Sequence, residues 1–212
     1  MKFIELQRRM KSRPYFRSGD WSLKSQWPAH EKVQLSHWVK EGKLIRLKRG
    51  VYALSALDGG TPTTALEIAE PLYRPSYLSL EFALSHYGLL PEAAGLLTSV
   101  TTRKTARIGN LLGTFTYSHV QPHYFFGFHR HSEPAIHWMA EPEKALFDFI
   151  YLRIPKKTLL TAELLIDNYR LQNINILKSS RIKEILLRFR HPRVEVAGRV
   201  ILGLLAKNLK SR

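Results

Sequence analysis

The chain has 212 residues, 44% of them hydrophobic and 11% aromatic, which excludes a disordered protein and allows one large domain or two small ones with real cores. Its 33 Lys and Arg against 17 Asp and Glu give a net charge of +16, and the lack of cysteine excludes disulfides and thiolate metal sites, which suits a reducing cytosol. The start, MKFIELQRRMKSR, has no apolar signal-type segment, and the apolar run Val200 to Ala206 is broken by Gly203 and too short to span a bilayer, so a soluble cytoplasmic protein with no membrane partner is expected.

In chain order, Phe3, Leu6 and Met10 share one face of a helix predicted over Phe3 to Lys11, and Arg13-Pro14 ends it. Ser18-Gly19-Asp20 offers a cap for a short second helix from Trp21 to Gln26, which Trp27-Pro28 breaks. A third helix starts at Ala29 or His30, with Leu35, Trp38 and Val39 on its apolar face and Gly42 placed as a C-cap. The β-formers Ile45, Leu47, Val51, Tyr52 and Leu54 then flank a turn at Lys48-Arg49-Gly50. Three short helices followed by a two-stranded hairpin is the order of a winged helix-turn-helix, whose third helix enters the major groove of DNA.

Asp58-Gly59-Gly60-Thr61-Pro62 reads as a linker. Beyond it come a helix-like stretch from Thr64 to Glu70, a helix from Ser79 to Tyr87, and β-like runs at Leu97–Thr102, Gly113–Val120, Tyr124–Phe128 and Ala135–Met139. Glu141-Pro142 opens another helix, and three more are expected near 158–171, 178–190 and 193–209. The expected fold is α+β: a winged helix-turn-helix over residues 1–60, then a mixed α+β domain over 61–212, with a body at 61–152 and a basic helical tail at 153–212.

Charge follows the same division. Residues 1–60 hold 13 basic and 5 acidic side chains, residues 61–152 hold 6 and 8, and residues 153–212 hold 14 and 4. Two basic ends flanking a near-neutral middle suit a phosphate-bearing partner, with DNA, RNA and an acidic lipid surface all open on charge alone.

Four segments in order, GKLIRLKRGVYAL, PSYLSLEFALSHYGLLPE, TSVTTRKTARIGNLLGTFTYSHV and AEPEKALFDFI, resemble the AbiEi antitoxin family, the transcriptional regulators of AbiE-type abortive-infection toxin–antitoxin systems. The resemblance covers roughly residues 16 to 152; the tail matches only loosely. It implies an antitoxin whose winged helix represses its own operon at promoter repeats. It also implies a C-terminal domain that opposes a nucleotidyltransferase-like toxin without requiring a stable complex, and that assists DNA binding in some members.

On the third helix, Gln34 and His37 are the base-edge candidates, because Gln can bridge adenine and His can donate to guanine N7. His30 shares their side of the helix, while Lys32, Ser36 and Lys40 are placed for phosphate. Arg46, Lys48 and Arg49 in the hairpin, and Lys24 before the helix, are further backbone candidates, so Lys48→Ala is expected to weaken binding to all sequences alike. A second nucleic-acid or partner surface is expected from Arg103, Lys104 and Arg107 in a polar loop and from Lys156, Lys157, Arg181, Lys183, Arg188, Arg190 and Arg193 in the tail. Solvated basic faces would look the same.

His119, His123, His129, His131 and His137 are irregularly spaced with no Asp among them, so neither a metal nor another cofactor is expected. Glu133, Glu141, Glu143, Lys144 and Asp148 do not form the acidic pair beside a strand-borne lysine that a metal nuclease needs. With no phosphate loop and no nucleophile elbow either, no catalytic residues are assigned.

Overall fold

The computed structural model describes residues 2–20, 29–92 and 94–210, with the backbone alone for 29–32 and 208–210. The chain is α+β with two sheets.

The first sheet has three antiparallel strands in the order β1-β3-β2, where β1 is Phe16–Arg17, β2 Leu44–Lys48 and β3 Val51–Leu54. Helix α1 (Phe3–Met10) and helix α2 (Ala29–Lys40) pack with it. The expected apolar faces are the buried ones: Leu6 and Met10 on α1, Leu35 and Trp38 on α2, closed by Phe16, Leu44 and Leu54. Phe3 meets Trp38 edge-on at 5.3 Å. Gly42 ends α2 at φ 72°, a left-handed conformation open to glycine without strain. The second helix expected at Trp21 to Gln26 lies outside the described residues.

The expected linker is packed rather than slack. Ala56–Asp58 forms a 3-10 turn whose last carbonyl accepts from Gln7 Nε2 at 2.7 Å, and Thr61 Oγ1 donates to the Lys11 carbonyl at 2.7 Å. A Cβ on Gly60 would come within 2.6 Å of the Leu54 carbonyl oxygen, so the chain can turn here only with glycine.

The body holds a six-stranded mixed sheet in the order β6-β7-β5-β4-β9-β8. These strands are β4 Ser76–Leu78, β5 Leu97–Thr101, β6 Ala106–Asn110, β7 Gly113–His119, β8 Phe128–His131 and β9 His137–Ala140. Helix α3 (Ala65–Leu72), begun by a capping box between Thr64 and Glu67, lies against β4, β5 and β9. Helix α4 (Leu80–His86) lies against β5 and helix α5 (Pro142–Leu152), and α5 in turn against helices α6 (Ser179–Phe189) and α7 (Pro192–Lys210).

Besides the short strands β1 and β4, which carry no sequence signal, several segments depart from expectation. Residues 106–110, of which Arg107 is expected in a polar loop, form the edge strand β6, whose side chains are alternately half-buried and exposed. Of the aromatic run Tyr124–Phe128 only Phe128 enters a strand, because Gly127 turns at φ 70° and Tyr124 stacks instead on Phe189 at 4.3 Å. The helix expected at 158–171 contains a π-turn at Leu164–Asn168 and otherwise runs irregularly, with Arg170 in the left-handed region at φ 54°.

The two sheets are joined. One face of the β2–β3 hairpin supplies Leu47, Val51 and Ala53 to the core of the body, while Leu44 and Leu54 belong to the small core under α1 and α2. Strand β2 meets the edge strand β6, and Asn110 Nδ2 donates to the Leu47 carbonyl at 3.1 Å.

Candidate nucleic-acid interface

Helix α2 and the β2–β3 hairpin enclose a cleft of about 240 Å³ lined by Ser18, Leu35, Ser36, Arg46, Arg49, Gly50 and Tyr52. Local sequence explains the arrangement. Burial of Leu35 and Trp38 turns Ser36 outward, and the hairpin's alternation puts Arg46 on the face away from Leu47. Gly50 at φ 81° closes the turn, and its carbonyl accepts from the Ser18 backbone N–H at 2.9 Å, which draws β1 to the cleft. Two exposed guanidiniums and two hydroxyls at one concavity can hold a phosphate by charge-assisted hydrogen bonds.

Around that cleft the predicted DNA residues separate. His37 and Lys40 are exposed, and His37 Nδ1 is 3.0 Å from Glu41 Oε1. Gln34 is half-buried, and its Oε1 is buried without a hydrogen-bond partner among the described residues. Lys24 lies outside the described residues, as do the side chains of His30 and Lys32.

Lys48 is the clear correction. Its ammonium donates to the Leu72 carbonyl at 2.9 Å and sits 5.2 Å from the Tyr73 ring centre, so it joins the hairpin to the body instead of facing outward. Burial, with Arg103 and Arg17 nearby, pulls its pKa below the usual lysine range. The physical reason is the end of α3, whose last carbonyls lack helical partners and carry the negative end of the helix dipole. Arg17 donates to the Pro71 carbonyl at 3.2 Å and Lys48 to that of Leu72, while Arg103 lies 4.4 Å over Tyr73. The Tyr73 hydroxyl completes the joint by donating to the Lys104 carbonyl at 2.9 Å. Sequence reasoning missed Arg17, Ser18, Tyr73 and Asn110. The first two sit in or beside a two-residue strand with no periodic signal, and the others act only across the joint.

The expected second surface also divides. Arg103 is engaged at the joint, whereas Lys104 and Arg107 are exposed, Arg107 on the rim of a cleft of about 710 Å³ that also holds Arg153 and Glu81. In the tail, Arg181 pairs with Glu141 at 2.9 Å and with Glu184. Arg188 lies 4.2 Å over Phe126, and Arg190 Nε donates to the Leu187 carbonyl at 3.0 Å. Arg193 donates to the carbonyls of Pro155 and Lys156 at 2.8 and 2.7 Å. These four bind the tail to itself and to the body. Lys156, Lys157 and Lys183 remain exposed.

Lys144 and Asp148, one turn apart on α5, are wholly buried and ion-paired. Lys144 Nζ also donates to the Tyr77 hydroxyl at 2.9 Å, and Asp148 accepts from Tyr77 at 3.0 Å and from Ser79 at 2.9 Å. Desolvation raises the Asp148 pKa and lowers that of Lys144, each partly offset by the other's charge. The i, i+4 spacing is visible in the sequence; the complete burial is not. Among the described residues no group of three or more His, Asp or Glu is arranged to hold a metal. His129, His131 and His137 stack face to face, with ring centres 4.3 and 5.0 Å apart. No helix among the described residues is long and apolar enough to cross a membrane.

No family model matches the chain, and no curated protein matches it.

Proposed function

We propose that residues 1–60 form a winged helix-turn-helix and that the chain is a DNA-binding antitoxin of the AbiEi kind. It represses its own AbiE-type operon at promoter repeats and counteracts a nucleotidyltransferase-like toxin without catalysis of its own. The observation that carries the reading is the cleft between α2 and the hairpin, where Arg46 and Arg49 converge with Ser18 and Ser36 beside the exposed His37 and Lys40. A backbone phosphate held there would set α2 along the groove, leaving base edges to its outer side chains. The net charge of +16 and the four-segment resemblance support the same reading. The alternative, a module working through its basic C-terminal helices, is less favoured because Arg181, Arg188, Arg190 and Arg193 are engaged within the protein.

The test is anisotropy binding to the upstream duplex and to a scrambled duplex across a salt series. Arg46→Ala and Arg49→Ala should weaken both DNAs and flatten the log–log salt slope by roughly one for each phosphate no longer neutralised. His37→Ala should reduce preference for the upstream duplex by about 1–3 kcal/mol. Unchanged affinity and slope in both arginine variants would remove the cleft from DNA binding.

A further inference from the structure

A second cleft, of about 630 Å³, lies where the amino-terminal unit meets the body. One wall is the stretch from Ser12 to Tyr15, another is α3, and the third is the β8–β9 hairpin with Arg130, Ile136 and Trp138. Its volume falls in the span of about 300–1,000 Å³ usual for small-molecule pockets, and a junction between units is a common place for one. It shares no lining residue with the cleft beside α2.

Accounting for its polar groups decides what it can hold. Asp20 accepts from the Arg17 backbone N–H at 2.7 Å, and Glu67 accepts from the Thr64 N–H at 2.9 Å. Glu70 pairs with Arg74 at 2.7 Å, and Arg74 also donates to the Tyr15 hydroxyl at 3.2 Å. Glu70 is therefore neutralised by Arg74, while Asp20 and Glu67 are hydrogen-bonded and keep their charge. Arg13 and Arg130 are exposed, and neither side chain has a partner among the described residues. Trp138 stands directly across from Arg130 in the strand register, 39% exposed, with Phe128 against it edge-on at 5.9 Å. The two guanidiniums without partners among the described residues thus lie beside an accessible indole and the half-buried Tyr15.

The geometry points to a nucleotide-binding site, in which a base stacks on Trp138 and its phosphates are met by Arg130 and Arg13. A nucleotide uses both features, since any base presents a π-face to an aromatic side chain and its phosphates suit guanidinium donors. An inorganic anion would leave the indole unused, and an apolar peptide would leave both arginines unpaired. Because the walls come from both units, the occupant bridges them. The inference does not depend on the DNA reading.

The test is calorimetric titration of the full chain with ATP, GTP, sodium triphosphate and a short single-stranded oligonucleotide. ATP or GTP should bind saturably with one site per chain, and triphosphate at least about tenfold more weakly. Trp138→Ala and Arg130→Ala should each weaken the nucleotide by about tenfold or more, with Trp138→Phe restoring most of the loss. Arg13→Ala, on the opposite wall, should weaken it without disturbing the hairpin, and melting curves of every variant should match the parent. Arg46→Ala and Arg49→Ala should leave nucleotide binding unchanged while altering DNA binding, so the two sites fail or stand separately. No saturable nucleotide binding, equal binding of triphosphate and ATP, preference for the oligonucleotide, or loss in the Arg46 and Arg49 variants would each overturn the assignment.

Discussion

Lys144 carries an ammonium group at a position with no exposed surface, and Gly127 is part of why it fits. A Cβ on Gly127 would lie 3.0 Å from Lys144 Cγ and 3.2 Å from its Cβ, and the glycine already sits at φ 70°. The stem of the lysine passes over bare backbone there. Its head lies 5.1 Å from the ring centre of Phe126 and 5.3 Å from that of Phe189, and it meets Asp148 and Tyr77. Removing one member of a buried pair leaves the other charged and unpaired, at a cost of about 3–5 kcal/mol. Lys144→Met should therefore lower the urea midpoint far more than Arg181→Ala, which breaks a half-exposed ion pair expected to contribute under about 1 kcal/mol. Gly127→Ala should cost about 1–3 kcal/mol through strain at positive φ and crowding against the lysine stem. Equal losses for Lys144→Met and Arg181→Ala would mean that the buried network is not what anchors α5.

The β8–β9 hairpin gathers three histidines of the body, His129, His131 and His137, in one element. His131 faces His137 across the ladder, His129 stacks on it from the same strand, and His86 approaches from α4 at 6.4 Å. Burial, reinforced by His129, His137 and His86, pulls the His131 pKa from 6.5 to about 4. The unfolded chain then binds a proton that the native state refuses between those values, so stability rises with pH across the window. The contribution is fully present above about 6.5 and is lost as pH falls toward 4. Melting temperature should drop over that range, and more steeply in the parent than in His131→Gln; parallel curves would show that the histidines titrate without consequence.

The same element shows how far a sequence can be read. Leu35, Trp38 and Gly42 announce α2 because helical period and a C-cap are local signals. The His131–His137 pairing depends on the register of two strands joined through Glu133-Pro134, which spacing alone does not fix. Strand β4 is three residues long and buried throughout, so it has no alternation to detect, and the five residues of β6 end on Gly109-Asn110, which read locally as a turn. In the candidate site, Arg46 and Arg49 are legible from the turn. The fate of Lys48 is not, because its partner lies in a helix 24 residues away.

At the scale of the whole molecule, the amino-terminal unit is not a bead on a string. Leu47, Val51 and Ala53 are buried in the core of the body, Asn110 reaches back to the Leu47 carbonyl, and Arg17 and Lys48 satisfy the end of α3. If the hairpin serves as the proposed wing it has two jobs, and its basic residues divide between them. Arg49 is exposed beside α2; Lys48 is committed to the body. Their substitutions should separate accordingly. A charged hydrogen bond to a helix end is expected to contribute about 1–2 kcal/mol, so Lys48→Ala should lower the unfolding midpoint while leaving the salt slope of DNA binding close to that of the parent. Arg49→Ala should do the reverse, with an unchanged midpoint and a salt slope shallower by roughly one. Because the joint carries core residues as well as polar groups, the chain should melt in a single transition, and Tyr73→Ala should shift that transition as a whole. Were Lys48→Ala to cost DNA affinity and no stability, the hairpin would have to leave the body on binding, and the joint would be a latch that DNA opens rather than a fixed part of the fold.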